Sequence, residues 1–265
     1  MGFTLNGIHS DTIGAIFSTE AVSIVPSKKQ TSVSVLGKDG SYVFEGSFEN
    51  ISIELSGAIP GYEIVDRRKI ARKLSNFLSK TGSLVFDYEP DIEYNVVKIT
   101  NNISANMQHL KYYDSFNVIF ECEPMPRQTY YNDMELAWED VSTAWAYMNF
   151  PWTGIYPRIF TVVSGSTISL VNTGTYKALP IIILRGKASN ISFGGMTYIN
   201  LDGTVYIDCK NQVVYSIDGT TKVNRLSNFS GEFIEILPEP DVNVFTVSGS
   251  ITNLTIEFDY KNTFL

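Results

Sequence analysis

Asn172-Thr173-Gly174-Thr175-Tyr176-Lys177-Ala178-Leu179-Pro180-Ile181-Ile182-Ile183-Leu184-Arg185-Gly186 carries the fold in miniature. A turn-forming cluster comes first, a proline closes it, and a β-branched run follows at once. Proline is tolerated at the start of a strand because no ladder donor is needed there. Beyond this stretch, Asp202-Gly203 and Asp218-Gly219 read as turn dipeptides. The sequence around them is β-rich, from Val205 to Ile207, Val213 to Tyr215 and Phe233 to Leu237. Short strands punctuated in this way predict a β-sandwich and not a nucleotide-binding or catalytic α/β domain.

Toward the N-terminus the same grammar continues. Val22 and Ile24, Val33 and Val35, Tyr42 and Phe44, and Ile51, Ile53 and Leu55 fall at period two, as half-buried strands require. Gly37-Lys38-Asp39-Gly40 is a two-glycine turn able to supply positive φ. Gly57 to Gly61, with Pro60, reads as a break in the sheet. One helix is predicted over about 66–80, its apolar stripe made by Ile70, Leu74, Phe77 and Leu78. Asp66 and Lys80 would complement its dipole, and Gly82 would stop it. Its opposite face carries Arg67, Arg68, Lys69, Arg72 and Lys73, either a solvated surface or one that meets an acidic partner. Strands are expected at Leu84 to Tyr88, Glu93 to Asn101 and Tyr113 to Glu121. Pro124 and Pro126 then end the block. Asp133 to Met148 has a helical stripe that includes Trp138 and Trp145. The division expected is therefore an N-terminal β domain at 1–128, a partly helical connector at 129–155 and a C-terminal β-sandwich at 156–265.

Composition narrows the function. A net charge of −8 argues against a dedicated nucleic-acid binder, which needs clustered cations to neutralise phosphate. Two distant cysteines, Cys122 and Cys209, have no metal-binding spacing and make no disulfide framework, which suits a reducing compartment and small buried side chains. Met1 to Ser10 lacks a signal-peptide pattern, and no apolar run approaches the ~20 residues that span a bilayer. A soluble protein with no membrane partner is expected.

Catalytic chemistry finds no foothold. His9 and His109, the only histidines, sit in no metal-ligand pattern, so neither a metal nor a cofactor is expected. No nucleophile elbow or phosphate-cradling loop is present. The carboxylates at Glu135, Glu139 and Asp140, and at Asp87, Glu89, Asp91 and Glu93, read as surface charge. A carbohydrate-binding or receptor-binding module is the alternative, with Tyr156, Phe160, Tyr176, Phe193, Tyr198, Tyr206, Tyr215 and Phe229 as candidate platform residues. A sandwich needs most of these for its own core.

Two separated sets of residues carry a family resemblance. One runs from Gly37-Lys38-Asp39-Gly40 through Tyr42 and Phe44 to Asn50-Ile51-Ser52-Ile53. The other runs from Asn172-Thr173-Gly174-Thr175 through Pro180-Ile181-Ile182-Ile183 to Gly186, then Gly231, Phe233, Leu237-Pro238 and Asn243. In this order they resemble the distal tail (Dit) proteins of long-tailed phages with non-contractile tails. The resemblance implies a mainly β chain: an N-terminal ring-forming domain with one helix and an extended arm, then a galectin-like sandwich. It implies a homohexameric ring at the tail tip, with a channel through which DNA passes without specific binding. Its partners would be the tail tube protein, the tail-associated protein and the receptor-binding or baseplate proteins. The arm falls at Val35, Gly37, Lys38, Asp39, Gly40, Tyr42 and Phe44, and the partner-facing helix positions are Arg67, Arg68, Arg72 and Lys73. One departure stands out. The family's Pro-Gly-Asn near the last strands reads Pro238-Glu239-Pro240-Asp241-Val242-Asn243 here, a longer loop.

Overall fold

The computed structural model describes residues 2–22, 25–34, 36–37, 39–44, 46–61, 63–100, 113–129, 157–241 and 243–265. These gather into two compact units, one up to Arg127 and the other from Gln128 to Phe264. The predicted connector at 129–155, apart from Thr129, lies outside the described residues.

The first unit holds strands β1 (Phe3–Leu5), β2 (Ile8–His9), β3 (Ile16–Val22), β4 (Thr31–Ser34), β5 (Ser41–Phe44), β6 (Ile51–Pro60), β7 (Gly82–Phe86), β8 (Glu89–Ile99) and β9 (Tyr113–Cys122), with helix α1 (Ile64–Leu78) after β6. Seven of them form an antiparallel sheet in the order β2-β1-β7-β8-β9-β6-β3, while β4 and β5 pair only with each other. In β6 the predicted alternation holds, with Ile51, Ile53, Leu55 and Ile59 buried. The sheet does not break at Gly57–Gly61, because β6 runs through Gly57 to Pro60 and all four of these residues pair with β9. Gly57 lies between Phe17 of β3 and Phe116 of β9. A Cβ there would fall 2.2 Å from the Phe116 ring, and the two phenyl rings meet edge-on at 5.7 Å across the vacated space. The glycine serves ring packing, not chain reversal. Phe3 sits amid further rings, 4.9 Å from Phe17, 5.8 Å from Phe77 of α1 and 6.1 Å from Phe120.

Helix α1 begins two residues before the predicted span and ends two before it, so Lys80 falls beyond its last turn. Leu74, Phe77 and Leu78 are buried, each worth about 2 kcal/mol of apolar burial. Arg67 is also fully buried, whereas Ile70 is only half-buried. The inward stripe is thus rotated toward Arg67.

A short strand β10 (Arg127–Gln128) precedes the second unit's own elements. These are β11 (Ile159–Val162), β12 (Thr167–Leu170), β13 (Ile181–Phe193), β14 (Met196–Asp208), β15 (Val213–Asp218), β16 (Thr221–Asn224), β17 (Phe229–Gly231), β18 (Asn243–Thr246) and β19 (Ser248–Asp259). The large sheet runs β11-β19-β13-β14-β15-β16, and β12 pairs with β18. Ile168 and Leu170 of β12 pack in one core with Ile182, Leu184, Ile207, Ile256 and Phe258 of the large sheet. The mainly β, sandwich-type fold expected from the sequence is what is observed.

Strand β13 starts at Ile181, directly after Pro180 as predicted, and Asp218-Gly219 forms the β15–β16 turn. Asp202-Gly203 does not turn the chain. It lies inside β14, opposite Lys187 and Gly186. Gly203 there takes φ +98°, so the positive φ it signals bends a strand instead of closing a hairpin. The hairpin closes at Gly194-Gly195. Along β13 the inward residues are Ile182, Leu184 and Ala188, then Ile191 and Phe193, so the phase flips between Ala188 and Ile191. Along β14 it flips between Tyr198 and Leu201. The ladder omits Ser189 and Asn200 and keeps its register on both sides of them.

Three asparagines hold the irregular segments. Asn172 is fully buried and donates Nδ2 to the Tyr176 and Ile236 carbonyls at 2.8 and 3.0 Å, while Oδ1 accepts from Gly174 N–H at 3.0 Å. Asn243 clasps Leu237, accepting from its N–H at 2.8 Å and donating to its carbonyl at 2.9 Å. Asn262 donates to Gln128 Oε1 and Thr173 Oγ1, both at 2.6 Å. Buried polar groups persist only when paired in this way. Residues 252–264 close this second unit through β19, Asn262 and Thr263.

Candidate functional site

The β4–β5 hairpin is built outward from a short ladder. Glu49 N–H donates to the Ser27 carbonyl at 2.7 Å, and Lys29 N–H to the Ser47 carbonyl at 2.9 Å. Ser27 Oγ adds a bond to Glu49 Oε2 at 2.7 Å. The Lys28 ammonium lies 5.1 Å from the Phe48 ring centroid. Beyond these, Thr31 pairs with Phe44 and Val33 with Tyr42. Gly37 and Gly40 both adopt φ +87° in the tip, as the sequence anticipates.

Every strand residue of this arm is exposed. The period-two pattern predicts half-burial, yet Val33, Tyr42 and Phe44 are 46%, 51% and 59% exposed. The physical reason is topological: among the described residues β4 and β5 pair with each other alone, and a two-stranded ribbon has no second layer of its own. The pairing puts Thr31, Val33, Tyr42 and Phe44 on one face, and Ser32, Ser34, Ser41 and Val43 on the other. One face is therefore mainly apolar and exposed, the other mostly serine. Of the seven arm positions identified from the sequence, Gly37, Asp39, Gly40, Tyr42 and Phe44 lie in this ribbon and its tip. Val35 and Lys38 fall outside the described residues. Between the positions singled out lie two further exposed apolar residues, Val43 and Leu36, the latter fully exposed at the tip. A lone apolar residue beside a glycine turn was the available signal.

The helix positions divide. Arg68, Arg72 and Lys73 are exposed and form no ion pair among the described residues, and Lys69 is bonded to Asp66 at 3.1 Å. Arg67 is a correction: it faces inward and presents nothing to a partner.

The aromatic candidates are spread through different settings, and Phe160, Tyr176 and Phe229 are half-buried. Phe193 and Tyr198 are buried. Tyr206 stacks on Tyr215 at 5.2 Å, and the Lys222 ammonium sits 4.3 Å from the centroid of the Tyr215 ring, so these faces are occupied. Tyr156 lies outside the described residues. His9 Nε2 meets Asp87 Oδ1 at 3.1 Å, whereas His109 lies outside the described residues. Among the described residues no cluster of three or more His, Cys, Asp or Glu side chains could hold a metal ion. No helix among them is long and apolar enough to cross a membrane. Burial pushes the thiols of Cys122 and Cys209 up to about 12.

Residues 12–122 match the family model of the phage tail protein RIFT-related domain. The whole chain is similar in fold to the Dit protein of phage SPP1, described as a paradigm of hub adsorption apparatus in phages infecting Gram-positive hosts. The likeness covers 100% of this chain and 99% of that one, with a TM-score of 0.65 and 12% identity. A chain of the phage P2 baseplate in its activated conformation with calcium is similar over 97% of both chains, at a TM-score of 0.42 and 8% identity. No curated protein matches the chain in sequence. The resemblance to distal tail proteins is borne out by the N-terminal family match and by the fold of the whole chain.

Proposed function

We propose that this chain, which carries a phage tail protein RIFT-related domain over residues 12–122, is the structural hub at the distal end of a siphophage tail. Six copies close a ring that joins the tail tube protein to the tail-associated protein and to the receptor-binding or baseplate proteins. DNA passes through the channel without specific binding. The hub assembles in the cytoplasm of the bacterial host and catalyses no reaction.

The observation that carries this reading is the arm. Its face of Val33, Tyr42 and Phe44 has the alternation of a strand that belongs to a core, yet all three side chains stand about half exposed. A neighbouring copy supplies that cover in a closed cyclic assembly, where one patch meets a different patch on the next subunit. The exposed cations Arg68, Arg72 and Lys73, without an ion pair among the described residues, suit an acidic neighbour, and the chain itself carries a net charge of −8.

Native mass at micromolar concentration tests the proposal, alone and with the tail tube protein. Six copies of the 29.6 kDa chain give 6 × 29.6 = 177.6 kDa. A species of that mass is expected. A monomer under both conditions overturns the ring.

A further inference from the structure

Strand β14 pairs with β13 along its whole length, from Met196 to Asp208. Its other side is paired only at the ends, Met196 to Tyr198 with β17 and Tyr206 to Asp208 with β15. Residues 199–205 thus have a strand on one side alone, and a groove of about 420 Å³ opens in the gap. Asn200, Asp202 and Thr204 line one bank, with Ser216, Arg225 and Asn228 opposite. Arg225 Nε donates to Ser216 Oγ at 3.0 Å, which sets the guanidinium on its bank. Asn228 lies beside the phenol of the buried Tyr198, and both line the groove. Asp202 meets Lys187 at 3.1 Å.

We propose that this gap is a binding groove for a saccharide. The volume lies in the range of small-molecule sites. A sugar hydroxyl both donates and accepts, which matches carboxylate, carboxamide, guanidinium and hydroxyl groups set on facing banks beside open main chain. A peptide strand added to the edge would draw its specificity from pockets for alternate side chains. The mostly polar lining favours the sugar. The site is separate from the occupied Tyr206–Tyr215 stack. It belongs to the second unit alone and does not depend on the ring.

The test is a glycan array carrying bacterial and synthetic mono- and oligosaccharides, probed with the full chain, then calorimetric titration of the strongest saccharide. Saturable binding is expected, weakened at least tenfold by Asp202→Ala and by Arg225→Ala. Lys222→Ala, at the neighbouring tyrosine stack, leaves it unchanged. Asp202 and Arg225 are exposed, so both variants fold, which circular dichroism checks. No saturable binding to any saccharide overturns the proposal, as does binding that both substitutions leave intact. A structure showing an extended peptide in the gap also overturns it.

Discussion

Excising the arm separates its two roles, in the fold and in assembly. Strands β3 and β6 are paired to each other from Ile16–Ala58 to Val22–Ile53, so the sheet does not need the segment between them. Residues 23–50 make this connection 28 residues long. Replacing residues 25–49 with four Gly, Asn or Ser residues shortens it to seven. Each halving of a flexible loop returns about 0.6 kcal/mol of closure entropy, hence about 1.2 kcal/mol in favour of the folded chain. What is lost is small, because the arm's strand residues are all exposed and the Ser27–Glu49 bond is on the surface. At about 4 °C per kcal/mol, the melting temperature by calorimetry should stay level or rise by up to about 5 °C. The mass of the assembly should collapse to that of a single chain. A fall in melting temperature beyond about 4 °C would mean that the arm packs on its own body. Unchanged assembly would mean that its apolar face is not the contact. Either result refutes the reasoning.

Three further outcomes are expected. Reversing Arg68 and Arg72 to Glu leaves the monomer's melting temperature within about 2 °C, since both side chains are exposed. It weakens assembly measured by native mass, and unchanged assembly returns these residues to solvent. Asn172→Ala strands two carbonyls and one N–H in the interior and costs about 2–4 kcal/mol in denaturant unfolding; a loss below about 1 kcal/mol would contradict the clasp. The buried thiols of Cys122 and Cys209 stay protonated in the folded chain from pH 9 to about 12, while the unfolded chain ionises. Their contribution to stability is therefore complete below pH 9 and lost as pH rises toward 12, and neither thiol reacts with a thiol-specific reagent at pH 8 before unfolding.

Much of the fold was legible because local chemistry and the global sheet agree. Pro180 opens a strand, Asp218-Gly219 turns a hairpin, and α1 lies within two residues of its predicted ends. Misreadings arose where one residue type serves two purposes. Gly57 reads as a breaker until Phe116 is seen in the space it leaves. Asp202-Gly203 reads as a hairpin until Gly186 is found opposite. Arg67 belongs by spacing to either border of the α1 stripe, and its charge pointed to the wrong one. The arm was visible as alternation, but its exposure was not, because periodicity records which face seeks cover and not which chain provides it. The groove was hidden further still: it exists because β15 and β17 leave a stretch of β14 between them, and sequence does not state where a sheet opens.

The paired phase change at Ser189 and Asn200 limits how this ribbon can vary in length. Loss of Ser189 alone would shift Ile191 and Phe193 by one position against Tyr198 and Met196, turning the interior set toward solvent. Loss of Ser189 and Asn200 together would keep every other β13–β14 pair intact, but β13 also pairs with β19, where Ser189 is balanced by Thr252, so that ladder would slip unless Thr252 were lost as well. Single-codon deletions across this hairpin are therefore disruptive, and a compensated change of length must be matched on β14 and on β19 at once.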